Sequence, residues 1–327
     1  MKDRPPAGQS RFLESLGWSA FFDEQLAIDE QNFAKARVDA IHRSRLTALT
    51  ETGQVDIVLS AHDDTAKYAV GDWVLADPLT NLLHRRLERK TLLQRNGEGR
   101  RQAQLAAANI DTLFIVSSCN ADFNVARLER YLALANDAGT TPVVVLTKVD
   151  LAADAADLVR QVTALQRELP VVLVDGRASD AAEALIGWCG AGLTVALVGS
   201  SGVGKSTLVN ALVGPGRSRP QETGGIREHD SKGRHVTTSR SLHPILAGGW
   251  VIDTPGIRSL HVSDVAQGLD VLFAEITELA PGCKFRNCTH DHEPRCSVRA
   301  AVEAGTLDPQ RLARWRKLQA ESRGQRR

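Results

Sequence analysis

The pattern of apolar positions changes near residue 100 of the chain. Before that point, short stretches of alternating or β-branched residues are separated by turn residues such as Gly53, Gly71 and Pro78. The stretches cover residues 36–50, 55–60, 72–77 and 82–94. Short strands joined by tight turns are typical of small all-β barrels. The pattern therefore predicts a barrel over residues 34–99, preceded by a weakly patterned leader over residues 1–33.

After residue 100 the apolar residues form continuous runs with helical patterns between them. The runs cover residues 112–116, 142–146, 171–174, 195–198 and 250–252. A run without alternation is typical of a strand that is buried on both faces of a parallel sheet. We therefore predict a mostly parallel α/β domain over residues 100–262. Beyond it the pattern is helical, is interrupted by a cysteine-rich loop, and predicts a third domain over residues 263–327.

The composition is that of an ordinary globular protein. Apolar residues make up 43% and charged residues 24% of the 327 residues, which excludes wholesale disorder. With 40 basic and 39 acidic residues the net charge is +1, so any phosphate-binding surface must be local. Basic residues are concentrated in residues 81–101 and 311–327. Each basic run is either a solvated charged face or a contact surface for RNA phosphates.

We expect a cytoplasmic protein. No run of about 18 apolar residues is present, and no apolar signal-peptide stretch follows the polar N-terminus. Three of the five cysteines lie between residues 283 and 296, a distribution that favours a metal site over a disulfide framework. Neither export nor membrane insertion is indicated.

The strongest motif follows the apolar run 195–198 and fits the phosphate-binding loop of nucleotide-binding proteins. Its residues are Gly199, Ser200, Ser201, Gly202, Val203, Gly204, Lys205, Ser206 and Thr207. Glycines let successive backbone N–H groups point at phosphate oxygens, and the N-terminus of the following helix adds its positive end. We predict that Lys205 contacts the β and γ phosphates and that Ser206 ligates Mg²⁺. An ordinary Gly/Ser turn would not explain Lys-Ser-Thr at the start of a helix.

Two further segments are predicted to complete the site for Mg²⁺ and the γ phosphate. Asp253 and Gly256 belong to an Asp-Thr-Pro-Gly turn after a buried strand. The Asp253 carboxylate can hold the hydration shell of Mg²⁺, and the Gly256 N–H can sense the γ phosphate. Residues 224–240 contain few apolar residues and are predicted to be a switch in which Thr237 or Thr238 covers Mg²⁺. The sequence leaves the choice between these two threonines open.

A guanine-binding motif lies earlier in the chain, after the run 142–146. It consists of Thr147, Lys148, Val149 and Asp150. The Asp150 carboxylate can accept hydrogen bonds from N1–H and the amino group of guanine, a donor pair that adenine lacks. The Lys148 stem can pack on the purine plane, and Thr147 offers the base one hydroxyl in place of an amide. The N–H of Gly176, after the run 171–174, is a further candidate for a base contact.

The order of these motifs is unusual, because in an ordinary GTPase the phosphate loop and the switches precede the guanine motif. Here residues 147–150 precede residues 199–207. The sequence therefore predicts a circularly permuted GTPase domain, a rearrangement that keeps the fold when the original termini are close together at the surface. The chain then passes from the switch near Gly256 directly into the C-terminal region.

The cysteine-rich loop contains the Cys₃His ligand set of a closed, structural zinc site. The predicted ligands are Cys283, Cys288, His290 and Cys296. His292 competes with His290 for the imidazole position, and we prefer His290.

Together these features resemble one family, the small ribosomal subunit biogenesis GTPases RsgA, also called YjeQ. The resemblance covers residues 34–300 and includes Asp122-Phe-Asn before a helix and residues 233–238, where Val236 replaces the usual threonine. It implies an OB-fold barrel, a permuted GTPase domain that binds GTP with Mg²⁺, and a zinc domain with one zinc ion. It also implies that the small ribosomal subunit stimulates GTP hydrolysis during late assembly. The barrel face and the basic C-terminal tail are then the predicted rRNA contacts, in a protein that we expect to be monomeric and independent of membranes.

Catalysis is expected to depend on Lys205, His235 and Thr238. Ile257 stands where Ras-like enzymes have the glutamine that orients water, so intrinsic hydrolysis is expected to be slow. We hypothesise that His235 orients the attacking water once rRNA orders its loop; a surface histidine without this role is the alternative. The rival functions are a nucleotide-gated RNA-binding switch with negligible turnover and an ATP-dependent kinase.

Overall fold

The computed structural model describes residues 7–95, 104–176, 178, 181–214, 241–253 and 265–324. In these ranges the chain forms a β-barrel, a six-stranded sheet flanked by helices, and a C-terminal group of helices. None of the helices in these ranges is long and apolar enough to span a membrane.

The N-terminal barrel consists of five antiparallel strands. They are β1 (Ala34–Ile41), β2 (Leu46–Thr50), β3 (Gly53–Ile57), β4 (Trp73–Ala76) and β5 (Leu83–Arg86), in the order β3-β2-β1-β4-β5. The two outer strands meet where the Val58 N–H donates to the Asn81 carbonyl at 2.9 Å and the Leu83 N–H donates to the Val58 carbonyl at 2.8 Å. This contact closes the sheet and removes the free edges, as the OB-fold requires.

The leader folds against the barrel as two short helices, α1 (Ala7–Ser15) and α2 (Ala20–Asp23). Leu16 and Trp18, between the two helices, and Phe22, in α2, are buried. The Trp18 and Trp73 rings meet edge-on, with their centroids 4.9 Å apart. Each fully buried apolar side chain of this size contributes about 1.5–3 kcal/mol. The leader therefore belongs to the packing of the barrel.

A two-stranded antiparallel sheet follows the barrel, formed by β6 (Leu92–Arg95) and β7 (Gln104–Ala108). The apolar pattern over residues 82–94 predicts one strand, and the structure divides it into β5 and β6. The division occurs because the Leu87 N–H still bonds to the barrel at the Trp73 carbonyl, whereas the Lys90 N–H already bonds to the Asn109 side chain.

The central sheet has six strands in the order β10-β9-β8-β11-β13-β12, of which only β12 is antiparallel to its neighbour. The strands are β8 (Thr112–Ser118), β9 (Thr141–Thr147), β10 (Val171–Val174), β11 (Thr194–Val198), β12 (Ser241–Pro244) and β13 (Trp250–Asp253). The helices between them are α3 (Val125–Asp137), α4 (Ala155–Thr163) and α5 (Lys205–Val213). All five predicted parallel strands are present, and their carboxyl ends meet at one edge of the sheet. This is the edge at which α/β proteins bind ligands.

The C-terminal helices pack on α3. They are α6 (Ala266–Leu272), α7 (Ala274–Leu279), α8 (Ser297–Glu303) and α9 (Pro309–Gly324). A Cβ atom on Gly268 would lie 1.9 Å from the carbonyl oxygen of Ala133, so only glycine allows α6 to approach α3 this closely. Phe273 and Val298 share one hydrophobic core with Leu132 of α3. The C-terminal region is therefore continuous with the core of the α/β domain.

Two arginines of the basic run after the barrel pair with carboxylates of the molecule itself. Arg89 forms an ion pair with the buried Asp72 at 2.6 Å, and Arg85 forms one with Glu30 at the same distance. The hydrogen bonds from Arg85 lower the pKa of Glu30 to about 2. Arg85 and Arg89 therefore each have a carboxylate partner within the molecule, because buried carboxylates of the barrel and the leader require charged partners. The contact of the barrel face with RNA stays a prediction. Residues 96–101 of this run lie outside the described residues.

The first arginine of the C-terminal basic run is also engaged inside the molecule. Arg311 is buried and pairs with Glu129 of α3 at 2.9 Å and with Glu275 of α7 at 2.7 Å. Arg314 reaches the same Glu129 at 2.8 Å. Arg311 cannot contact RNA, and it instead neutralises a buried carboxylate that would otherwise be costly. Residues 325–327 lie outside the described residues.

Two buried charged residues of β1 join the barrel to the central sheet. Arg37 donates to the Thr194 hydroxyl at 2.8 Å and to the Asn109 carbonyl at 3.2 Å, and burial lowers the pKa of Arg37 to about 10. The Asp39 carboxylate accepts a hydrogen bond from the Leu242 N–H of β12 at 3.0 Å, and burial raises the pKa of Asp39. The barrel is thus fixed to β11 and to the edge strand β12.

Candidate functional site

The phosphate-binding loop connects β11 to α5 at the carboxyl edge of the central sheet. Gly199, Gly202 and Gly204 have positive φ angles of 145°, 77° and 101°. A Cβ atom on Gly199 would lie 2.2 Å from the carbonyl oxygen of Val116, so only glycine fits where the loop passes β8. The loop leads into α5 at Lys205. The first N–H groups of α5 have no partner within the helix and are available to phosphate oxygens.

The ammonium group of Lys205 lies on its own loop. Its Nζ atom donates to the carbonyl oxygen of Gly199 at 2.8 Å and to that of Ser200 at 2.5 Å. These contacts hold a positive charge beside the backbone amides of the loop, which is the arrangement that a polyphosphate requires. Ser206 and Thr207 follow in the first turn of α5 and are half-buried.

The guanine motif lies against this loop in space. Thr147 ends β9 and is buried, and its hydroxyl donates to the Val203 carbonyl at 2.6 Å. The sequence assigns that hydroxyl to the base, whereas the structure places it on the phosphate loop. Lys148 adopts a left-handed conformation with φ 55°, and Asp150 lies exposed in the 3₁₀ turn Val149–Leu151 that follows.

Gly176 also approaches the first turn of α5. A Cβ atom at this position would lie 3.6 Å from Cγ2 of Thr207, so the end of β10 and the phosphate loop are close together. Three segments that are distant in sequence therefore converge at one edge of the sheet: residues 147–150, Gly176 and residues 199–207.

Of the remaining predicted site residues, the structure describes only the backbone of Asp253. Asp253 ends β13, which lies beside β11 with Ile252 opposite Ala196, so its backbone reaches the same edge as the phosphate loop. The other four lie outside the described residues and remain predictions: His235, Thr237, Thr238 and Gly256.

The sequence analysis did not identify Arg127 as a residue of this site. Arg127 belongs to the first turn of α3, where the Asn124 side chain caps the helix by accepting from the Arg127 N–H. Its Nη1 atom donates to the Ser200 hydroxyl of the phosphate loop at 2.5 Å. No motif signals this contact, because it depends on how α3 packs against β8 and β9.

The four predicted metal ligands form one cluster. The candidate ligand atoms of Cys283, Cys288, His290 and Cys296 all lie within 4.8 Å of one another. The Sγ atoms of Cys283 and Cys296 are 3.8 Å apart, and Nδ1 of His290 lies 3.6 Å and 3.3 Å from them. In a tetrahedral site with Zn–S bonds of about 2.3 Å, two sulfur ligands lie about 3.8 Å apart. The cluster therefore fits a structural zinc ion, with Nδ1 as the imidazole ligand atom.

The structure also distinguishes the two histidines of the loop. His290 is buried, whereas the His292 side chain is 84% exposed and lies near Asp291 rather than the cysteines. Burial lowers the pKa of His290, which keeps the ring neutral and able to bind metal. Helix α9 supports this ring, because Trp315 packs beside it at 5.2 Å and Arg316 donates to the His290 carbonyl.

Comparison with known proteins agrees with this geometry. Residues 86–263 match the family model described as RsgA GTPase. The small ribosomal subunit biogenesis GTPase RsgA of Mesorhizobium japonicum is 64% identical over 310 residues, which cover 95% of this chain and 90% of that protein. RsgA 2 of Vibrio parahaemolyticus is 47% identical, with coverage of 94% and 85%.

Solved structures show the same architecture. YjeQ from Thermotoga maritima superimposes with a TM-score of 0.65 at 27% identity, covering 87% of this chain and 96% of that one. YloQ, described as a circularly permuted GTPase, shares the fold with a TM-score of 0.64 at 23% identity, over 91% of this chain and 98% of that one. The order of the motifs, their convergence at one edge and these likenesses agree. The chain belongs to the RsgA family of small ribosomal subunit biogenesis GTPases, and it is a GTP hydrolase with a circularly permuted GTPase domain.

Proposed function

We propose that this GTPase acts on the small ribosomal subunit in the cytoplasm, and that the subunit stimulates its GTP hydrolysis during late assembly. The observation that carries the proposal is the hydrogen bond of Thr147 to Val203, which joins the guanine motif to the phosphate loop in one site. The names of the relatives, which describe small ribosomal subunit biogenesis, supply the partner.

The phosphate loop is proposed to bind the triphosphate. The amides of residues 199–207 surround the phosphate oxygens, and Lys205 turns from the carbonyls of Gly199 and Ser200 towards the β and γ phosphates. Mg²⁺ accompanies GTP in this family and neutralises charge that develops on the phosphates. Ser206 in the first turn of α5 and Asp253 at the end of β13 are the proposed protein groups for the ion, and Thr237 or Thr238 completes the set.

Base recognition is assigned to the segments beside the loop. The exposed Asp150 carboxylate accepts the paired donors of guanine, the Lys148 stem covers the ring, and the Gly176 N–H adds a backbone contact. A carboxylate cannot accept from adenine in this way, because adenine presents an acceptor at N1. GTP is therefore preferred over ATP.

We assign activation of the attacking water to the predicted switch, residues 224–240. Ile257 cannot orient water, so the isolated protein hydrolyses GTP slowly, and His235 supplies the orienting group once the subunit orders its surroundings. A single-turnover assay with subunits present tests this role. Hydrolysis by His235→Ala at the wild-type rate would show that another group orients the water.

The principal experiment measures GTP hydrolysis with and without purified small subunits. We expect the subunits to raise the rate of the wild type at least about tenfold, equivalent to 1.4 kcal/mol in the barrier. Lys205→Ala should bind GTP poorly and show no stimulated turnover, whereas Arg160→Ala, at an exposed arginine of α4, serves as the control. A wild type that binds subunits without releasing phosphate would instead be a nucleotide-gated switch.

Competition between GTP and ATP tests the base site separately. Asp150→Asn should lose most of the preference for GTP, since an amide presents a donor where the carboxylate accepts. Equal affinity of the wild type for ATP and GTP would support an ATP-dependent kinase and contradict the proposal.

A further inference from the structure

The segment between the first two zinc ligands exposes an aromatic ring among cations. This segment, residues 284–287 between Cys283 and Cys288, is called the zinc loop below. Phe285 keeps 39% of its surface exposed, and the Nζ atom of Lys284 lies 5.3 Å from the centre of its ring. Arg286 follows directly and is exposed. An exposed phenylalanine inside a run of cations is not explained by packing.

The backbone of the zinc loop is held in place on both sides. The Lys284 N–H donates to the Arg295 carbonyl at 3.2 Å, and the Cys288 N–H donates to the Phe285 carbonyl at 3.2 Å. Cys283 and Cys288 fix the two ends of the loop when zinc is bound. The ring of Phe285 is therefore presented by a short, closed loop, which lowers the entropy lost when a ligand packs against it.

Arg295 adds a third cation to Lys284 and Arg286 of the zinc loop, because its carbonyl accepts from the Lys284 N–H. Within the described part of the chain, Lys284, Arg286 and Arg295 form no ion pair with a carboxylate. The two acidic residues of the neighbouring segment are already engaged. Asp291 pairs with Arg316 at 3.1 Å, and Glu293 accepts hydrogen bonds from the Thr289 N–H at 2.8 Å and the Thr289 hydroxyl at 2.6 Å.

This contrasts with the basic runs that the sequence singles out. There, Arg85, Arg89 and Arg311 are each committed to a carboxylate. The zinc loop, by contrast, offers cations that are not committed to a carboxylate, and one of them, Lys284, lies over the ring of Phe285. A polyanion with planar rings satisfies both features, because phosphates meet the cations while a base stacks on the ring.

We propose that the zinc loop binds an unpaired RNA nucleotide, with its base stacked on Phe285 and its flanking phosphates on Lys284, Arg286 and Arg295. The site rests on the proposed function, in which RNA of the small subunit is the partner. Unpaired rather than duplex RNA is required, since the bases of a helix present no face for stacking.

The test compares Phe285→Leu with Phe12→Leu in the full-length, zinc-replete protein. Phe12 lies on α1 and is exposed to a similar extent, 41%, so the same substitution there is a matched control. Affinity is measured for a short, unstructured single-stranded RNA and for the same strand annealed to its complement. Zinc content and the unfolding temperature confirm that each variant is folded.

Phe285→Leu should weaken binding of the single strand by about 5- to 100-fold and leave binding of the duplex unchanged. Phe12→Leu should change neither affinity. Lys284→Ala combined with Arg286→Ala should reduce the slope of log affinity against log salt by about 0.7 for each phosphate that the protein no longer neutralises. The proposal is overturned if the wild type does not bind the single strand, or if Phe285→Leu binds it as tightly as the control.

Subunit-stimulated GTP hydrolysis, measured on the same variants, distinguishes a failure of the RNA site from a failure of the proposed GTPase function. Stimulation of the wild type together with unchanged RNA affinity in Phe285→Leu would overturn the RNA site alone. A weakened affinity for subunits with unchanged affinity for the single-stranded RNA would assign the zinc loop to a protein partner and also overturn it. Absence of stimulation in a wild type whose RNA binding depends on Phe285 would overturn only the proposed function.

Discussion

The hydroxyl of Thr147 lies 2.6 Å from the carbonyl oxygen of Val203, and this hydrogen bond joins two motifs that the circular permutation places in reverse order. Thr147 ends β9 and Val203 lies in the phosphate loop after β11, with β8 between the two strands. The bond fixes the distance between the base-binding segment and the phosphate-binding segment. Nucleotide affinity is therefore expected to depend on it.

Thr147→Val should weaken GTP and GDP binding alike. The substitution leaves the buried Val203 carbonyl without a donor, which costs roughly 1–3 kcal/mol, or about 5- to 100-fold in affinity. Thr140→Val is the matched control, since the Thr140 hydroxyl donates to the Ala135 carbonyl at 2.9 Å in a buried position away from the site. Calorimetric titration should show reduced affinity only for the first variant; equal affinities would contradict the role of this bond.

Arg127 and Ser200 should behave as one unit in nucleotide binding. Arg127→Ala and Ser200→Ala each remove the 2.5 Å hydrogen bond between α3 and the phosphate loop, so each is expected to weaken GTP binding by about tenfold. The double variant should bind no worse than either single variant, because the same interaction is absent from all three. Additive effects would show that Arg127 acts on the phosphates independently of Ser200.

Zinc retention should distinguish the two neighbouring histidines. His290→Ala removes the only nitrogen ligand of the described cluster, and metal analysis should show loss of zinc together with a lower unfolding temperature. His292→Ala should retain one zinc ion per chain, because its side chain is 84% exposed. Loss of zinc from the His292 variant alone would reverse the assignment.

Asp39, which is buried where the barrel meets β12, should make the free energy of unfolding depend on pH. Burial raises the pKa of Asp39 above its ordinary value of 3.8, so the folded state binds this proton more tightly than the unfolded state. The contribution of Asp39 is therefore most favourable below pH 3.8 and is lost as the pH rises through the raised value. Asp39→Asn should be stabilising relative to the wild type at neutral pH, and this gain should shrink as the pH is lowered. The measurement is the unfolding midpoint from below pH 3.8 to neutral pH, with the exposed Asp56→Asn as control. A gain in stability that did not change with pH would contradict the prediction.

Arg311 should affect stability rather than RNA binding. Arg311→Leu leaves the buried Glu129 with Arg314 as its remaining partner, and we expect a loss of roughly 3 kcal/mol in the free energy of unfolding. Below the unfolding transition, its affinity for single-stranded RNA should equal that of the wild type. Lys317→Ala, at an exposed site of the same helix, should change stability little. A stable Arg311 variant with weakened RNA binding would contradict this structural role.

The sequence by itself determined the features that depend on local order. Uninterrupted apolar runs predicted the five parallel strands, since residues buried on both faces must be apolar whatever lies beside them. The spacing of residues 199–207 predicted the phosphate loop, and the spacing of the cysteines predicted the metal cluster. Ligands that lie close together in the sequence can converge on one small group without help from distant elements. The reversed order of the motifs predicted the permutation without any structural information.

Only the tertiary structure decided which side chains meet across the sequence. The basic runs gave no sign that Arg85, Arg89 and Arg311 are used internally, because their carboxylate partners lie on distant elements. Likewise, the hydrogen bond of Arg127 to Ser200 depends on the packing of α3 against β8 and β9. A charge in a sequence has no partner until the fold supplies one, and its energy depends on burial and distance.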